Sequence, residues 1–257
     1  MSTPAFRSLD PGAQLGAEDL IDAVVADASD PASRDAAGRP RTIGVMVQSV
    51  DGHVTVDERS GGLGGPEDRA VFRGLRARAD GLLVGAGTLN GERYSTTLDE
   101  PHRQARRAVG LPAEPLLTTI TRSFALDEDL PLLHEDLTRA VVYTETDPPF
   151  AVDADRVEVV RLDDASPEAA LRDLGDRGLG QVNCEGGPGL LAALVRAGVL
   201  DELLLTVSPL LVGGEDPLTM LHGDLGGDGP HGLELRGTWR GGDVLFLHYH
   251  LTHGSPA

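Results

Sequence analysis

The sequence contains no lysine, because all 22 basic residues among its 257 are arginine. This absence excludes a catalytic lysine, a Schiff-base lysine and the lysine of a phosphate-binding P-loop. Cysteine is nearly absent as well, and the single residue Cys184 can form neither an intramolecular disulfide nor a cysteine-rich zinc site. In its apolar surroundings, we expect Cys184 to be a small core residue rather than a nucleophile. The sequence predicts a cytoplasmic protein.

Positive charge and long apolar runs are also scarce. The sequence has 41 acidic residues against 22 basic ones, a formal charge of −19 at pH 7, and its arginines form no basic stripe. Such an excess of negative charge repels a nucleic-acid backbone. No apolar run approaches the roughly 20 residues that a membrane helix needs, and residues 1–10 lack the pattern of a signal peptide. We therefore expect a small-molecule partner, and neither nucleic acid nor a membrane.

The histidines show no arrangement that is typical of a metal site. His248 and His250 alternate along a predicted strand, and neither a cysteine nor an H-x-x-E-H pattern accompanies them. We expect no metal centre in this chain.

The chain divides into an arm and one domain. Residues 1–40 are rich in Ala, Asp, Pro and Gly and contain one stretch of helical apolar spacing at 15–25. We interpret these residues as an N-terminal arm with one short helix. Residues 42–48 are apolar and β-branched, and they predict a buried strand near the start of a domain that spans residues 41–257.

Apolar periodicity predicts alternating helices and strands within this domain. A helix at 66–79 has proline at its first position and acids in its first turn. Further helices are predicted at 167–175 and 187–197, and strands at 82–85, 115–121, 140–144, 156–160, 180–184, 202–208, 232–239 and 243–251. Since helices separate the early strands and none separates the last two, we expect an α/β fold with a mixed, mostly parallel sheet flanked by helices.

One glycine-rich turn follows the strand at 82–85. Gly85 and Gly87 leave backbone N–H groups open to a ligand, and Thr88 can cap the next turn or bind a phosphate oxygen. The turn lacks the full G-x-G-x-x-G dinucleotide fingerprint, because Asn90 stands at the last position. An ordinary strand-ending turn is therefore the alternative interpretation.

A second glycine-rich turn follows the strand at 180–184. Here the strand leads into Glu185, two glycines and a predicted helix. The first N–H groups of a helix form an anion site, and Gly186 and Gly187 allow a pyrophosphate to lie directly on it. The alternative is a tight turn in which Glu185 is a solvated acid of the first helical turn.

Polar side chains end two further strands. Thr121, Arg122 and Ser123 can hold a phosphate monoester, although the same residues also suit an exposed turn. Ser49 and Asp51 follow the first strand, where Asp-Gly is also typical of a hairpin turn. Because ligands of open α/β sheets bind beyond the carboxyl ends of the strands, this recurrence favours a phosphate-bearing cofactor.

Four motifs occur in a fixed order along the chain. They are S-V-D-G at 49–52, P-E-D-R at 66–69 with L-R-A-R-A-D at 75–80, V-G-A-G-T at 84–88, and E-G-G-P-G-L at 185–190. Together they resemble the reductase domain of bacterial riboflavin-biosynthesis proteins, whose fold is dihydrofolate reductase-like, over about residues 41–251. The resemblance implies a homodimer that uses NADPH to reduce 5-amino-6-(5-phosphoribosylamino)uracil, with hydride passing to the first carbon of the sugar.

The resemblance also implies roles for individual residues. Ser60, Arg76 and Glu185 would face the substrate, where Glu185 holds the ring edge, and Glu92 or Asp51 would supply the proton that accompanies hydride. The triplet around Arg122 resembles a 2′-phosphate site and favours NADPH over NADH. The residues implied along the cofactor are Ser49, Gly85, Gly87, Thr88, Glu92, Thr121, Arg122, Ser123, Gly186, Gly187, Pro188, Gly189 and Leu190.

The chain departs from the family pattern in several places. His53 stands where the family usually has a lysine at the substrate, and residues 95–111, with Arg103, Arg106 and Arg107, do not match the family's substrate-phosphate segment. Two alternatives therefore stay open. One is the same type of reductase acting on another heterocycle, such as dihydrofolate or a pterin, and the other is a nucleotide-binding protein without catalysis.

Overall fold

The computed structural model describes residues 16–26, 38–57, 59–134, 138–214, 217–226 and 230–252, so part of the predicted arm lies outside the described residues. The helices are α1 (Ala17–Ala26), α2 (Pro66–Arg78), α3 (Ala86–Glu92), α4 (Glu100–Ala108), α5 (Pro167–Asp176) and α6 (Pro188–Arg196). The strands are β1 (Arg41–Ser49), β2 (Gly81–Leu83), β3 (Leu116–Ile120), β4 (Ala140–Thr144), β5 (Val157–Arg161), β6 (Gln181–Cys184), β7 (Glu202–Ser208), β8 (Gly232–Gly241) and β9 (Val244–Thr252). None of these helices is long and apolar enough to cross a membrane.

One sheet contains the nine strands of the described residues, in the order β5-β4-β3-β2-β6-β1-β7-β9-β8. The neighbouring pairs from β5 to β7 are parallel, whereas β9 runs antiparallel to both β7 and β8. The mixed, mostly parallel sheet predicted from the sequence is confirmed. Since β2, β6 and β1 are adjacent and parallel, the turns that follow them lie at the same end of the sheet.

The first face of the sheet is covered by α1 and α2. Ile21 and Val24 of α1 are buried in a cluster that includes Ile43 of β1 and Leu204 of β7. The two helices pack closely at Gly74 of α2, where an added Cβ atom would lie 2.2 Å from Ile21 Cδ1. The absence of a side chain at this position therefore permits the contact.

The second face is covered by α5 and α6. Leu171 of α5 and Leu191 of α6 are buried in one cluster with Val182 and Cys184 of β6. Burial raises the pKa of the Cys184 thiol to about 12, so the side chain stays protonated at neutral pH. Cys184 is thus a core residue, as the sequence predicts.

Two helices, α3 and α4, are present where the sequence pattern predicts none. α3 contains two glycines and α4 is rich in charged residues, so neither shows apolar periodicity. α4 does carry a start signal, because the side chain of Asp99 accepts a hydrogen bond from the His102 N–H and Pro101 lies in the first turn. Capping residues rather than hydrophobicity would have located this helix.

Candidate functional site

A cleft of about 960 Å³ opens beyond the carboxyl ends of β1, β2 and β6. This is the expected location of a ligand site in an open α/β sheet. α2 forms one wall, and the turns after β2 and β6 form the other, together with the starts of α3 and α6. The predicted site residues that line the cleft are Ser60, Arg76, Gly85, Gly87, Thr88, Glu92, Arg122, Glu185, Gly186, Gly187, Pro188, Gly189 and Leu190.

The two glycine-rich turns are bonded to each other. The Gly85 N–H donates to the Gly186 carbonyl at 2.8 Å, and the Gly187 N–H donates to the Thr88 hydroxyl oxygen at 3.0 Å. Gly186 has a φ of +88°, and an added Cβ atom there would lie 3.2 Å from the Met46 sulfur. The backbone of this turn therefore favours glycine, and the hydrogen bonds fix the two turns as one unit.

We call residues 85–88 and 186–189 the glycine cradle. An added Cβ atom at Gly87 or Gly189 would have no neighbour within 4 Å, and both residues line the cleft. α6 begins in the cradle at Pro188, and the start of a helix attracts negatively charged groups. The cradle therefore has the open backbone and the polarity needed to hold the pyrophosphate of a dinucleotide.

Arg76 and Glu185 form a buried ion pair in the cleft. Nε and one terminal nitrogen of Arg76 donate to different carboxylate oxygens of Glu185, both at 2.6 Å. The Tyr94 hydroxyl accepts from Arg76 and donates to Glu185, each at 2.9 Å. Arg76 also donates to the Thr97 carbonyl at 3.0 Å, and its guanidinium carbon lies 4.2 Å from the centroid of the Phe72 ring. We call Arg76, Glu185 and Tyr94 the cleft cluster.

Burial and pairing raise the pKa values of Arg76 and Tyr94 in the cleft cluster. The side chains of Arg76 and Glu185 are 13% and 1% exposed. Burial disfavours the charged guanidinium, but the charge of Glu185 and the bonds to Glu185 and Tyr94 outweigh it and raise the pKa of Arg76. Burial, followed by the Glu185 carboxylate, raises the pKa of Tyr94, so its hydroxyl stays protonated. Glu185 accepts three hydrogen bonds within the cluster, and its carboxylate therefore holds Arg76 in place.

Ser60 and Glu92 connect the two walls of the cleft. Ser60 lies on the short 3-10 turn Ser60–Gly62, which precedes α2, and Glu92 ends α3. The N–H and the hydroxyl of Ser60 both donate to one carboxylate oxygen of Glu92, at 2.8 and 2.9 Å. The structure therefore brings together a residue predicted for the substrate and one predicted for the cofactor.

Arg122 is the member of the triplet 121–123 that reaches the cleft. Its side chain is 71% exposed, and its Nε atom lies 3.4 Å from a carboxylate oxygen of Glu145. The Thr121 hydroxyl instead accepts from the Ala125 N–H at 2.8 Å and shapes the turn. Thr121 and Ser123 are absent from the cleft lining, so the structure does not bring them to the other predicted cofactor residues.

Ser49 and Asp51 also lie outside the cleft lining. The Ser49 hydroxyl donates to Asp51 at 2.5 Å, and the Val212 and Gly213 N–H groups donate to the same carboxylate at 3.0 and 2.8 Å. The bond from Ser49, followed by that from Gly213, holds the pKa of Asp51 well below its ordinary value. Asp51 thus fixes the loop after β7, and His53 lies beside it, with 3.4 Å between the His53 Nδ1 and Asp51 Oδ1 atoms.

Comparison with known protein families identifies the family to which the chain belongs. The sequence model of the RibD C-terminal domain family matches residues 40–246. The chain belongs to this family. The identification of a riboflavin-biosynthesis pyrimidine reductase family member from the sequence motifs is confirmed, and the chain is accordingly an oxidoreductase.

Individual relatives agree with the family assignment. The 2,5-diamino-6-ribosylamino-4(3H)-pyrimidinone 5′-phosphate reductase of Methanothermobacter thermautotrophicus is 26% identical over 222 residues, which cover 82% of this chain and 98% of the relative. The reductase of the same name from Aquifex aeolicus is 27% identical over 196 residues, 72% of this chain and 84% of the relative. A pyrimidine reductase-like protein of Corynebacterium diphtheriae has a TM-score of 0.74 and 21% identity, over 93% of this chain and 100% of that one. The last similarity confirms the fold.

Asp68, Phe72 and Tyr94 also line the cleft of this RibD C-terminal domain, and the sequence analysis assigns none of them a role in the site. Asp68, Phe72 and Arg76 are spaced four residues apart on α2, and this helical spacing is a signal that one face of α2 carries all three. Burial raises the pKa of Asp68, against the opposing effect of a hydrogen bond from the Thr206 hydroxyl. Tyr94 follows α3 in a loop, where no periodic pattern could have indicated it.

The three arginines of residues 95–111 form contacts outside the cleft. Arg103 pairs with Glu114 at 2.6 Å, and Arg107 pairs with Glu100 at 2.9 Å. Arg106 is buried and donates to three main-chain carbonyls. None of the three arginines lines the cleft. A substrate phosphate in the cleft would therefore have to be bound by other cationic side chains.

Two of the histidines lie in an ion-pair network at the opposite end of the sheet. The carboxylate of Glu202 pairs with Arg41, with His248 Nε2 at 2.6 Å and with His250 Nε2 at 3.1 Å. The ligand atoms of Glu202 and both histidines lie within 4.8 Å of one another. Arg41 also donates to the Val24 carbonyl at 3.1 Å, so the network ties the end of α1 to the sheet. The expectation of no metal centre stays a prediction.

Proposed function

We propose that this chain is an NADPH-dependent reductase of riboflavin biosynthesis that acts on a 6-(ribosylamino)pyrimidine 5′-phosphate. The two candidates are the uracil implied by the sequence resemblance and the diaminopyrimidinone named for the Methanothermobacter relative. The observation that carries the proposal is a single cleft with the open glycine cradle on one wall and acidic, aromatic and basic side chains of α2 on the other. We expect this reductase in the cytoplasm, as the sequence predicts.

The cofactor would lie along the glycine cradle. Gly87 leaves open backbone for the pyrophosphate, and α6 begins beside it. NADPH supplies hydride when it is bound, and the chain supplies its position. Arg122 would hold the 2′-phosphate, because its exposed guanidinium lines the cleft and a phosphate competes well for an arginine fork.

The preference for NADPH over NADH is expected to depend on Arg122. The change Arg122→Gln removes the charge and should lower kcat/KM for NADPH about tenfold, since an exposed charge-assisted bond contributes about 1.4 kcal/mol or less. The value for NADH should stay within about twofold. Parallel steady-state assays with the two cofactors check this, and an equal loss for both would show that Arg122 does not contact the 2′-phosphate.

The substrate would lie against α2. Arg76, fixed by Glu185 and Tyr94, lines this wall, and Ser60 also lines the cleft. Arg73 also lines the cleft, with a side chain that is 54% exposed. Although the net charge of the chain is −19, the arginines along this wall give it local positive charge. This charge attracts an anion such as the substrate phosphate.

Reduction also consumes a proton. Of the two carboxylates predicted for this role, Glu92 lines the cleft and Asp51 does not. Glu92 is bonded to Ser60, a residue that could pass a proton between it and the substrate. We therefore assign the proton relay to Glu92 and a role in fixing the loop after β7 to Asp51.

Oxidation of NADPH, followed by its absorbance, tests the reaction. Purified protein is offered each of the two phosphorylated pyrimidines and, separately, dihydrofolate. Turnover of at least one of the pyrimidines is the expected result. Oxidation with dihydrofolate alone would identify a pterin reductase, and NADPH binding without any oxidation would identify a nucleotide-binding protein that has lost catalysis.

A homodimer is the proposed assembly. β8 is the last strand of the sheet, and within the described residues no strand pairs with its outer edge. Leu233 and Leu235 on β8 are 47% and 52% exposed, and they lie opposite Leu251 and Tyr249 of β9 in the register. A ten-residue edge strand with two exposed leucines offers a surface on which a second copy of the chain can pack.

A charge on this edge should separate the protomers. The change Leu235→Glu is expected to give a monomer in analytical ultracentrifugation, because a charge on an exposed edge strand opposes pairing and burial. Val109→Glu, at a position that is 74% exposed at the end of α4, is the matched control and should leave the dimer intact. A monomeric wild-type protein, or an L235E protein that remains dimeric, would contradict the proposed interface.

A further inference from the structure

Asp68 is a cleft carboxylate that the mechanism above does not use. Three acids line the cleft among the described residues, namely Asp68, Glu92 and Glu185. Glu185 is engaged by Arg76 and Tyr94, and Glu92 is engaged by Ser60.

The contacts of Asp68 leave part of its carboxylate available to a ligand. It lies in the first turn of α2 and lines the cleft, and the Thr206 hydroxyl of β7 favours its charged form by lowering its pKa against the effect of burial. Arg69 is the charged group next to it on the helix. A carboxylate offers about four acceptor positions, so Asp68 can accept further hydrogen bonds from a molecule in the cleft.

The position of Asp68 on α2 suits a flat ring. Phe72 lies four residues later and Arg76 eight residues later, and all three side chains line the cleft. Four helical residues correspond to a rise of about 6 Å, so the stripe runs about 12 Å from the carboxylate past the aromatic ring to the guanidinium. That length matches a pyrimidine ring that carries a sugar chain.

We propose that Asp68 recognises the 2-amino-4-oxo edge of the substrate's pyrimidine ring, an inference that rests on the proposed function. The reductase then acts on a 2-aminopyrimidin-4-one rather than on a uracil. The amino group and the neighbouring N3–H are two parallel donors, which match the two oxygens of a carboxylate. On uracil, the N3–H lies between two carbonyl oxygens. One oxygen of Asp68 would then face a carbonyl oxygen, and the contact would be repulsive.

This assignment gives Glu185 a different role from the one implied by the sequence resemblance. A carboxylate that already accepts three hydrogen bonds has little capacity left for two ring donors. Glu185 is thus a positioning residue that fixes Arg76. Asp68 becomes the specificity-determining residue for the ring.

The test uses two bare rings, 2-amino-4(3H)-pyrimidinone and uracil, which differ in the amino or oxo group at C2 and in the proton that uracil carries on N1. Their binding to the full chain is measured by ligand-observed NMR titration. Wild-type protein should bind the aminopyrimidinone about tenfold more tightly, because two hydrogen bonds to a charged acceptor replace one bond and one repulsion. The change Asp68→Asn should abolish or reverse the preference, since an amide pairs with the N3–H and a carbonyl of uracil. Glu67→Gln, which removes the exposed neighbouring acid of the same helical turn, should leave the preference unchanged.

Equal binding of the two rings by the wild-type protein would overturn the inference, and so would a preference that survives in D68N. The wild-type comparison needs no variant, so the inference stays testable even if D68N does not fold. The experiment also measures binding alone. A ring preference that depends on Asp68 in a protein that oxidises no NADPH would therefore refute the proposed function and leave the role of Asp68 supported.

Discussion

The change Glu185→Gln is expected to destabilise the protein by about 3–5 kcal/mol, because it leaves the charge of Arg76 buried without its partner. The glutamine keeps the size of the side chain but replaces one acceptor oxygen by a donor that faces the Arg76 guanidinium. Both side chains are almost completely buried, so water compensates little of this loss. Arg76 would shift on the cleft wall, and a displacement of about 1 Å can cost about 100-fold in turnover. Urea unfolding and NADPH oxidation measure the two effects.

An exposed ion pair provides the matched control. The Arg93 Nη1 and Asp129 Oδ1 atoms lie 3.0 Å apart, and the Asp129 side chain is 82% exposed. The change Asp129→Asn removes one carboxylate charge, as E185Q does, but should leave the free energy of unfolding almost unchanged, because solvent screens the pair. If E185Q is no more destabilising than D129N, the cleft cluster is not the buried, mutually dependent unit described here.

Enlarging Gly87 is expected to have the second large effect, on the cofactor alone. An added Cβ atom at Gly87 would meet nothing within 4 Å, so the side chain in the change Gly87→Leu starts in open space and we expect the protein to accommodate it. Replacing glycine inside a helix is also favourable or neutral for helix stability. The new side chain would, however, fill the space that the pyrophosphate needs. We expect the Kd for NADPH to rise about 10- to 100-fold, as for other overpacked contacts.

A graded series separates this effect from a folding defect. Gly87→Ala should weaken NADPH binding less than G87L does, and both variants should unfold at or above the urea concentration of the wild-type protein. Isothermal titration with NADPH gives the affinities. Unchanged affinity in G87L would show that the cofactor does not lie on the glycine cradle, whereas a loss of folding would show that the space beside Gly87 is not open.

The sheet could be predicted from the sequence because its strands are buried. Strands such as β3 and β4 form short runs rich in apolar and β-branched residues, bounded by turns, and they lie within one residue of their predicted positions. α3 and α4 could not be predicted in this way, because they contribute few apolar side chains to the core. Local capping and the surrounding tertiary structure define them instead.

The glycine-rich wall of the site could also be predicted, whereas the partners of its charged residues could not. The open backbone of the cradle follows from glycines placed at strand ends. The bond between Arg76 and Glu185 joins residues 109 positions apart, so no local pattern indicates it. The same holds for Asp51, whose sequence motif suggests a catalytic acid but whose carboxylate is bonded by the loop at 212–213.

Transfer of deuterium from the cofactor is the most direct test of hydride transfer to the sugar. The protein is incubated with NADPH deuterated at the transferred position of the nicotinamide and with the phosphorylated ribosylamino-diaminopyrimidinone, and the product is analysed by mass spectrometry and NMR. We expect one deuterium on the first carbon of an opened, ribityl side chain. A product without deuterium at this carbon, or with deuterium on the ring, would contradict the proposed reaction.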